Sequence, residues 1–441
     1  MIYILCPANL ATGGPELLHQ LGYKLNLLGY VADMFYVNKI EGMHPVCEQY
    51  EKYHVPFSHE VYDLPGNIII IPETRIDMLY ETKNYISVIW WLSVDNATYT
   101  DEDIDYMKNA KNVLHLVQSQ YALDFLHNTL DIHNNIYYLS DYINSDFFSY
   151  ISQDGVLPRT DTVLFNPKKG ISKTVELIAK SDYRIKWQAL SGLTPKGMCD
   201  VMQQAKVYID FGNHPGKDRI PREATICGCH IITNKKGSAY NDVDVAIPAC
   251  YKFDDAADTS EILDCIYNLI ENYDEKHSDY ETYLDKISNE FIEFEKDIVK
   301  FFSLLIKDNI STFNTAEEYI QHMIQSTENG NYALALRYLI DYRIKEFEEN
   351  ITIDIIETII RIGIEEYQEA RLCALRGLKK DQKNYELYLN LAHIALLTNN
   401  MDECHSYCQK AIEYSCNSPD ETYIKNTCLS FLGEEQPNAS N

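Results

Sequence analysis

The 441-residue chain lacks the sequence features that most directly identify zinc, secreted and membrane proteins. Its twelve cysteines form no CxxC pair and most lie inside apolar runs, so they predict free buried thiols rather than a metal site or a disulfide framework. No stretch approaches the roughly 18 apolar residues of a membrane span, and no basic, cleavable leader follows Met1. The sequence therefore predicts a cytoplasmic protein with at most peripheral membrane contact.

Positive charge is also scarce, since 38 Lys and Arg stand against 66 Asp and Glu and the formal net charge is -28. Nucleic acid is bound by broad neutralisation of its phosphates, so no nucleic-acid partner is expected for such a surface. Residues 166–240 are the exception, with 13 Lys and Arg against 6 Asp and Glu. A positive segment in an acidic chain favours a compact anionic ligand, although a solvated charged loop is the alternative.

Strand and helix patterns alternate along the first 255 residues. Strands are expected at 2–6, 67–72, 85–93, 112–119 and 136–139, and again at 162–165, 184–190, 207–211 and 230–233. Among the expected helices are 15–28, 73–81, 259–273 and a long one at 277–306. This pattern predicts an α/β protein of two doubly wound domains with parallel sheets, 1–150 and 151–310, which face each other across a cleft and are joined by a hinge at 148–160.

Residues 311–441 have helical patterns only, and these patterns repeat. Aligned segments place Ala335, Ala370 and Cys404 at one small-residue position, at spacings of 35 and 34 residues. A period near 34 with a small residue where two helices cross is typical of tetratricopeptide repeats. The sequence therefore predicts a helical repeat domain, available to bind a protein partner, and a polar tail from Glu434.

The segment VYIDFGNHPGKDRIPREATICGCHIITN (207–234) predicts a strand, a basic loop, a helix that begins at Pro221 and a further strand. Lys217, Arg219 and Arg222 fall where the free N–H groups and the positive end of that helix would point. Cations and a helix N-terminus together form a site for phosphate. We therefore expect a nucleotide diphosphate to bind at the start of this helix.

Several segments resemble the GT-B-fold glycosyltransferases, in particular the retaining group that uses nucleotide-sugar donors. VLFNPKKG (163–170), LSGLTPKGMCDVMQQAKVYID (190–210) and HPGKDRIPREATICGCHIIT (214–233) are similar to the nucleotide-binding half of that family. CPANLATGGPELLHQLGYKL (6–25) is similar to its glycine-bearing loop after the first strand. The resemblance covers roughly residues 1–306 and implies a donor site in the second domain and an acceptor side in the first.

The resemblance assigns donor-binding roles residue by residue. Lys169 matches the lysine that binds the diphosphate, and Glu223 matches the glutamate that holds the ribose hydroxyls. Pro215 replaces the family's first glutamate, so the sugar contact would pass to backbone N–H groups near Gly216 or to His214.

A second departure concerns the family's diphosphate-binding arginine, whose position holds Leu164 in this chain. We expect Lys217 or Arg219 to supply the missing cation, with Arg222 beside them. Fixed cations and a helix N-terminus would stabilise the charge that builds on the departing nucleotide diphosphate.

On the acceptor side, Gly13 and Gly14 would let the backbone approach the donor or the acceptor, or they form a simple turn. Trp91 and Asp95 end a strand at the carboxyl edge of the first sheet, where open α/β folds bind ligands. Trp91 as a core residue is the alternative. His115 is interpreted as a packing residue, and Asp141 as a helix cap or a residue of the cleft wall.

Two pairs of acidic residues could suggest a metal-dependent transferase, Asp101 with Asp103 and Asp242 with Asp244. Such pairs arise easily in an acidic chain, and both are interpreted as solvated. We therefore expect no metal and no cofactor apart from the nucleotide-sugar, which acts as co-substrate.

Together these observations predict a glycosyltransferase that moves a sugar from a nucleotide-diphosphate donor, such as a UDP-sugar, to a glycan, lipid-linked or protein acceptor, in the synthesis of surface polysaccharide or glycoconjugates. Retention of configuration is favoured, and no catalytic side chain is assigned. Two alternatives remain open: a GT-B-fold epimerase that acts on nucleotide-sugars, and an inactive scaffold that carries the repeat domain.

Overall fold

The computed structural model of the protein describes residues 1–81, 84–151, 158–307, 310 and 312–433. The chain divides into two compact units, Met1–Phe302 and Ser303–Asn441. The centre of the expected hinge, 152–157, and the expected tail from Glu434 lie outside the described residues. The domain boundaries at 150 and 310 stay predictions.

The first sheet has seven parallel strands, which are β1 (Ile2–Pro7), β2 (Ala32–Val37), β3 (Phe57–Ser58), β4 (Ile68–Pro72), β5 (Ile86–Trp91), β6 (Val113–Val117) and β7 (Ile136–Tyr138). Their order is β3-β2-β1-β4-β5-β6-β7, so the chain switches direction between β1 and β4. The sequence patterns did not predict β2 and β3. Only alternate side chains of β2 are fully buried, which gives it no continuous apolar run.

The helices that accompany this sheet are α1 (Gly13–Leu27), α2 (Asp101–Asn109) and α3 (Gln120–Asn128). The short α4 (Asp146–Ser149) follows them, and its Phe147 belongs to the core of the second sheet. The segment Glu73–Glu81, expected to be an α-helix, is a 3-10 helix with a break at Arg75. Pro7 and Pro72 end β1 and β4, the two strands beside the switch point, since proline cannot donate to the next ladder bond.

The second sheet has five parallel strands, β8 (Thr160–Phe165), β9 (Lys186–Ala189), β10 (Ala205–Asp210), β11 (His230–Asn234) and β12 (Lys252–Phe253), in the order β12-β11-β10-β8-β9. Its helices are α5 (Ile171–Lys180), α6 (Pro195–Gln204), α7 (Arg219–Ile226) and α8 (Thr259–Glu271). The expected long helix at 277–306 is divided into a 3-10 turn, α10 (Glu281–Ser288) and α11 (Glu290–Leu305), after the short α9 (Tyr273–Lys276).

Each sheet has its own hydrophobic core. The four isoleucines of β4 are all buried, as expected for a central parallel strand with both faces covered. A buried ion pair joins the N-terminal and C-terminal ends of this unit: Lys24 of α1 lies 2.7 Å from Glu295 of α11, and both side chains are fully enclosed. The two sheets are thus parts of one compact unit.

The second unit consists of α12 (Ala316–Glu328), α13 (Tyr332–Ile344), α14 (Ile351–Gly363), α15 (Tyr367–Lys380), α16 (Tyr385–Leu397), α17 (Met401–Ser415) and α18 (Glu421–Leu432). Ala335, Ala370 and Cys404, the predicted small-residue positions, are completely buried in α13, α15 and α17. Within the part of the chain that the structure describes, no helix is both long and apolar enough to cross a membrane.

A buried ionic network joins three helices of the second unit. Glu357 of α14 accepts hydrogen bonds from Arg343 of α13, Arg361 of α14 and Arg376 of α15. Burial raises the pKa of a carboxyl group, but these three guanidinium groups outweigh it and hold the pKa of Glu357 well below its usual value.

Candidate active site

A cavity of about 550 Å³ lies at the carboxyl ends of β1 and β4, where Pro7 and Pro72 contribute to its wall. Its lining also includes the N-terminal turn of α1 and residues 215–219, which lead into α7 of the second sheet. The carboxyl ends of strands at a switch point are where open α/β sheets bind ligands. The volume is in the range of pockets that hold small molecules.

The segment from Pro215 to Lys217 is held by contacts from both sheets. Val94 donates its backbone N–H to the carbonyl of Pro215 at 3.0 Å, and Ser238 donates to the carbonyl of Gly216 at 2.6 Å. A Cβ at Gly216 would lie only 2.0 Å from the carbonyl oxygen of Leu92. Gly216 is therefore required by the close approach of two backbones, and the structure explains this glycine without any ligand.

Lys217 and Arg222, both expected to bind the donor, belong to a buried ionic cluster with Asp141 and Glu290. Lys217 Nζ lies 2.9 Å from a carboxylate oxygen of each acid, and Arg222 lies 2.7 Å from each. All four side chains are at most 7% exposed. Arg222 is thus a structural cation that does not line the cavity, and Lys217 lines it with its ammonium group already paired.

The electrostatics of this cluster agree with its geometry. Burial alone would lower the pKa values of Lys217 and Arg222, but Asp141 and Glu290 outweigh it and raise both. Conversely, burial raises the pKa of Asp141, and the two cations outweigh that effect and lower it. Asp141 therefore holds the base of α7 to the first sheet, rather than capping a helix.

Arg219 is the first residue of α7, which begins two residues before the predicted start at Pro221. Its side chain lines the cavity and is 40% exposed. The guanidinium donates to Glu223, one turn along the same helix, and to Glu16 of α1. Glu16 also accepts from Asn144 at 2.8 Å. Arg219 thus bridges the two sheets across the cavity.

Glu223, expected to hold ribose hydroxyls, is buried and faces Arg219. It does not line the cavity, so in this state its carboxylate positions the guanidinium of Arg219. A direct contact with a donor stays a prediction.

Lys169 and His214 lie next to the cavity rather than in its wall, and both contact Asp218. Lys169 Nζ lies 2.8 Å and His214 Nδ1 lies 2.7 Å from oxygens of this carboxylate. The loops after β8 and β10 meet here, since a Cβ at Gly170 would lie 2.3 Å from the backbone of Phe211. Lys169 is 32% exposed, so it remains accessible to an anion.

Asp210, His214 and Asp218 form a group of the described residues that has the composition and spacing of a metal site. Asp210 already accepts from Tyr208 and from the N–H of Gly212, and Asp218 holds Lys169. Burial lowers the pKa of His214, but Asp218 and Asp210 outweigh it and raise the pKa. Asp218 thus lies between Lys169 and His214, and the expectation that no metal binds here stays a prediction.

The expected acceptor-side residues separate into two groups. Gly13 and Gly14 line the cavity in the first turn of α1, and a Cβ at Gly14 would meet nothing within 4 Å. Trp91 is completely buried and donates its indole N–H to His115 at 3.2 Å. It belongs to the hydrophobic core, so it cannot contact an acceptor in this state.

Asp95 is exposed just outside the cavity and accepts from Asn213 at 2.6 Å, which adds a contact between the two sheets. His115 is a packing residue as expected, and burial lowers its pKa to about 4.

The acidic pairs are only partly solvated. Asp103 forms a capping box with Thr100 at the start of α2. Asp244 is buried and accepts from the N–H groups of Gln120 and Tyr121 at 2.9 Å, so it satisfies the start of α3. The interpretation of Asp244 as solvated is wrong, because free helix N–H groups of the first sheet need an acceptor.

Sequence reasoning did not single out Glu16, Asp218 or Glu290, which form ion pairs with cations near the cavity. Glu16 follows the Gly13–Gly14 pair after Pro15, and Asp218 separates Lys217 from Arg219, so both stand inside the motifs that were considered. Glu290 had no such signal, because only the fold brings it to α7.

No protein-family model matches the chain, and no curated protein matches its sequence. Solved structures do match. Sucrose-phosphate synthase from Thermosynechococcus elongatus has a TM-score of 0.50 at 14% identity, over 69% of this chain and 98% of that chain. HepE from Anabaena, in complex with UDP, has a TM-score of 0.49 at 14% identity, over 69% of this chain and 99% of that chain.

WaaG, a glycosyltransferase involved in lipopolysaccharide biosynthesis, has a TM-score of 0.45 at 9% identity, over 70% of this chain and 100% of that chain. At these identities a likeness shows the fold alone. The likeness to sucrose-phosphate synthase, together with the two parallel sheets and the C-terminal helices, confirms the predicted fold class, a GT-B arrangement followed by an all-α region.

Proposed function

We propose that this protein is a glycosyltransferase that uses a nucleotide-diphosphate sugar. The observation that carries the proposal is the cavity at the switch point of the first sheet, where Arg219 at the start of α7 faces Gly13 and Gly14 of α1. A cation beside a helix N-terminus favours a diphosphate, and a cavity of about 550 Å³ leaves room for a sugar. One protein of the same fold is a sucrose-phosphate synthase, which supports sugar chemistry.

The chemistry would rest on charge stabilisation. As the bond between the sugar and the diphosphate breaks, negative charge develops on the leaving group. Arg219 in the cavity wall, at the start of α7, and the partly exposed Lys169 beside the cavity are the cations that would stabilise it. The cavity wall includes the polar side chains Asn96, Gln118 and Asn144, which offer hydrogen bonds to hydroxyl groups of a sugar or an acceptor.

The finer parts of the proposal concern the reaction and its setting. They are retention of configuration without a metal ion, a glycan, lipid-linked or protein acceptor, a role in surface polysaccharide synthesis in the cytoplasm, and capture of a partner by tetratricopeptide-like repeats in residues 311–441. The buried small residues at the repeat positions support the last of these. Proton NMR of the product, with and without a chelator, tests retention of configuration and independence from a metal ion.

An inactive scaffold is the rival that a specific observation favours. Lys169 is held by Asp218 and Arg219 by two glutamates, so the accessible cations are neutralised before any ligand arrives. A donor diphosphate must therefore compete with carboxylates for these cations.

Calorimetry of the full chain with UDP, GDP and their sugars separates the two. The transferase proposal requires that at least one nucleotide diphosphate binds. It also requires that the sugar of the corresponding nucleotide-diphosphate sugar is transferred or hydrolysed. A ligand at about 100 times its Kd should also raise the stability by about 2.7 kcal/mol in a thermal-shift assay. If no nucleotide binds, the transferase proposal fails and the scaffold stands.

A further inference from the structure

Arg219 is the cation best placed to meet an anion in the cavity. Among the described residues of the cavity wall, the basic side chains are Lys217, which is 7% exposed and paired with two buried acids, and Arg219, which is 40% exposed. An anionic ligand that enters the cavity therefore meets Arg219 first.

Two carboxylates already hold this guanidinium, and they differ in kind. Glu223 belongs to the same helix, is 5% exposed and binds Nε and one terminal nitrogen, so it fixes the direction of the side chain. Glu16 comes from α1, lines the cavity and binds the other terminal nitrogen with Oε2. Only the Glu16 contact lies where a ligand can replace it.

Glu16 would remain ordered after such a replacement. Its second oxygen, Oε1, accepts from Asn144 at 2.8 Å, and the hydroxyl of Tyr53 lies 3.4 Å away. The carboxylate thus keeps a fixed position near the guanidinium whether or not Arg219 holds it. A fixed negative charge beside an anion site weakens anion binding and restores the ion pair when the anion leaves.

On this geometry, and resting on the function proposed above, we propose that Glu16 is a positioning residue that competes with the donor diphosphate for Arg219. In the empty protein the Glu16 carboxylate occupies the anion-binding end of the guanidinium, and the diphosphate displaces it on binding. Glu16 keeps Arg219 extended into the cavity, lowers the affinity for the nucleotide diphosphate and favours its release after transfer.

The test compares the binding of inorganic pyrophosphate and UDP to the full-length wild-type protein and to Glu16→Gln, which keeps the size and the acceptor oxygen but removes the charge. We expect the variant to bind both ligands about tenfold more tightly. Glu60→Gln is the matched control, because Glu60 is exposed and outside the cavity wall, and its affinities should equal those of the wild type. Glu16→Asp, which keeps the charge, should retain weak binding.

A merely structural role for Glu16 predicts equal or weaker binding in Glu16→Gln, so either result overturns the competition. If the wild type binds UDP and the variant binds it no better, only the role of Glu16 is lost and the proposed function stands. If Glu16→Gln gains pyrophosphate binding but neither protein turns over any nucleotide-sugar, the competition stands and the transferase proposal fails. Binding of neither ligand to any variant removes the competition, and the transferase proposal also fails if GDP and the nucleotide-sugars do not bind either. Should Glu16→Gln unfold, Glu16→Ser under the same measurement replaces it.

Discussion

Three basic residues, Lys217, Arg219 and Arg222, are close neighbours in the sequence but have different surroundings. Lys217 and Arg222 are enclosed with Asp141 and Glu290, whereas Arg219 is 40% exposed in the wall of the cavity. The buried cluster and the cavity-facing arginine carry the same kind of charge. Their difference shows that a count of basic residues overstates how many cations a ligand can reach.

The same comparison separates stability from binding. A buried ion pair that loses one partner leaves an uncompensated charge, so the buried cluster should govern folding. A half-exposed ion pair contributes little to stability but can be exchanged for a ligand.

The largest effect is expected for Arg222→Ala. It leaves Asp141 and Glu290 buried with Lys217 as their one remaining cation in the cluster, and should lower the free energy of unfolding by about 3–5 kcal/mol. Urea unfolding followed by tryptophan fluorescence measures this, because all three tryptophans, Trp90, Trp91 and Trp187, lie in the unit Met1–Phe302. Arg219→Ala is the comparison variant and should lower stability by less than Arg222→Ala, because it takes a cation from one carboxylate that is at most 5% exposed, Glu223, rather than from two. Similar losses in both variants would contradict the contrast.

Arg219, whose substitution has the smaller expected effect on stability, should have a large effect on ligand binding. Arg219→Ala removes the accessible guanidinium and should weaken UDP binding by about 1.5–3 kcal/mol, the usual strength of a charge-assisted contact. Calorimetry at fixed salt measures it. Lys196→Ala removes an exposed lysine of α6 outside the cavity wall and should leave the affinity unchanged. An unchanged affinity in Arg219→Ala would remove that residue from the site.

The docking of the loop before α7 should depend on Gly216. In Gly216→Ala the new methyl group would meet the carbonyl of Leu92, so we expect a loss of about 1–3 kcal/mol in unfolding free energy as the two backbones separate. Gly14→Ala, in the open first turn of α1, is the matched substitution and should be neutral or slightly stabilising. Equal stability of the two variants would show that the contact is not maintained in solution.

The smallest effect is the pH dependence of the buried cluster. The pKa of Asp141 is lowered in the folded protein, because Lys217 and Arg222 outweigh the effect of burial. Its contribution to stability is therefore complete above the unfolded pKa of about 3.9 and is lost as the pH falls below that value. Urea titrations between pH 6 and 3 should show this loss in the wild type and a shallower one in Asp141→Asn. Parallel curves would exclude Asp141 as a contributor.

Local pattern predicted the framework of the first unit well. The continuous apolar run Ile68–Pro72 became a central strand, since a buried parallel strand needs apolar side chains on both faces. Strand β2 was missed because only alternate side chains are fully buried, and helix α7 began two residues early because Pro221 is tolerated anywhere in the first turn, where N–H groups have no partner.

The candidate site was predicted less completely. The segment that lines the cavity and the Gly13–Gly14 turn were identified, because a basic loop before a helix and a glycine pair after a strand have local signatures. Trp91 was placed on the acceptor side although its indole packs in the core, since position in a strand does not reveal which face a neighbouring helix covers.

The sequence by itself determined the alternation of strands and helices and the position of the basic segment at a strand–helix junction, because both follow from local periodicity and chain stiffness. Only the tertiary structure decided which cations stay accessible. The partners of Arg222 are 81 and 68 residues away and the cavity partner of Arg219 is 203 residues away. An ion pair forms between atoms about 3 Å apart, and over such separations that proximity is set by the packing of the two sheets.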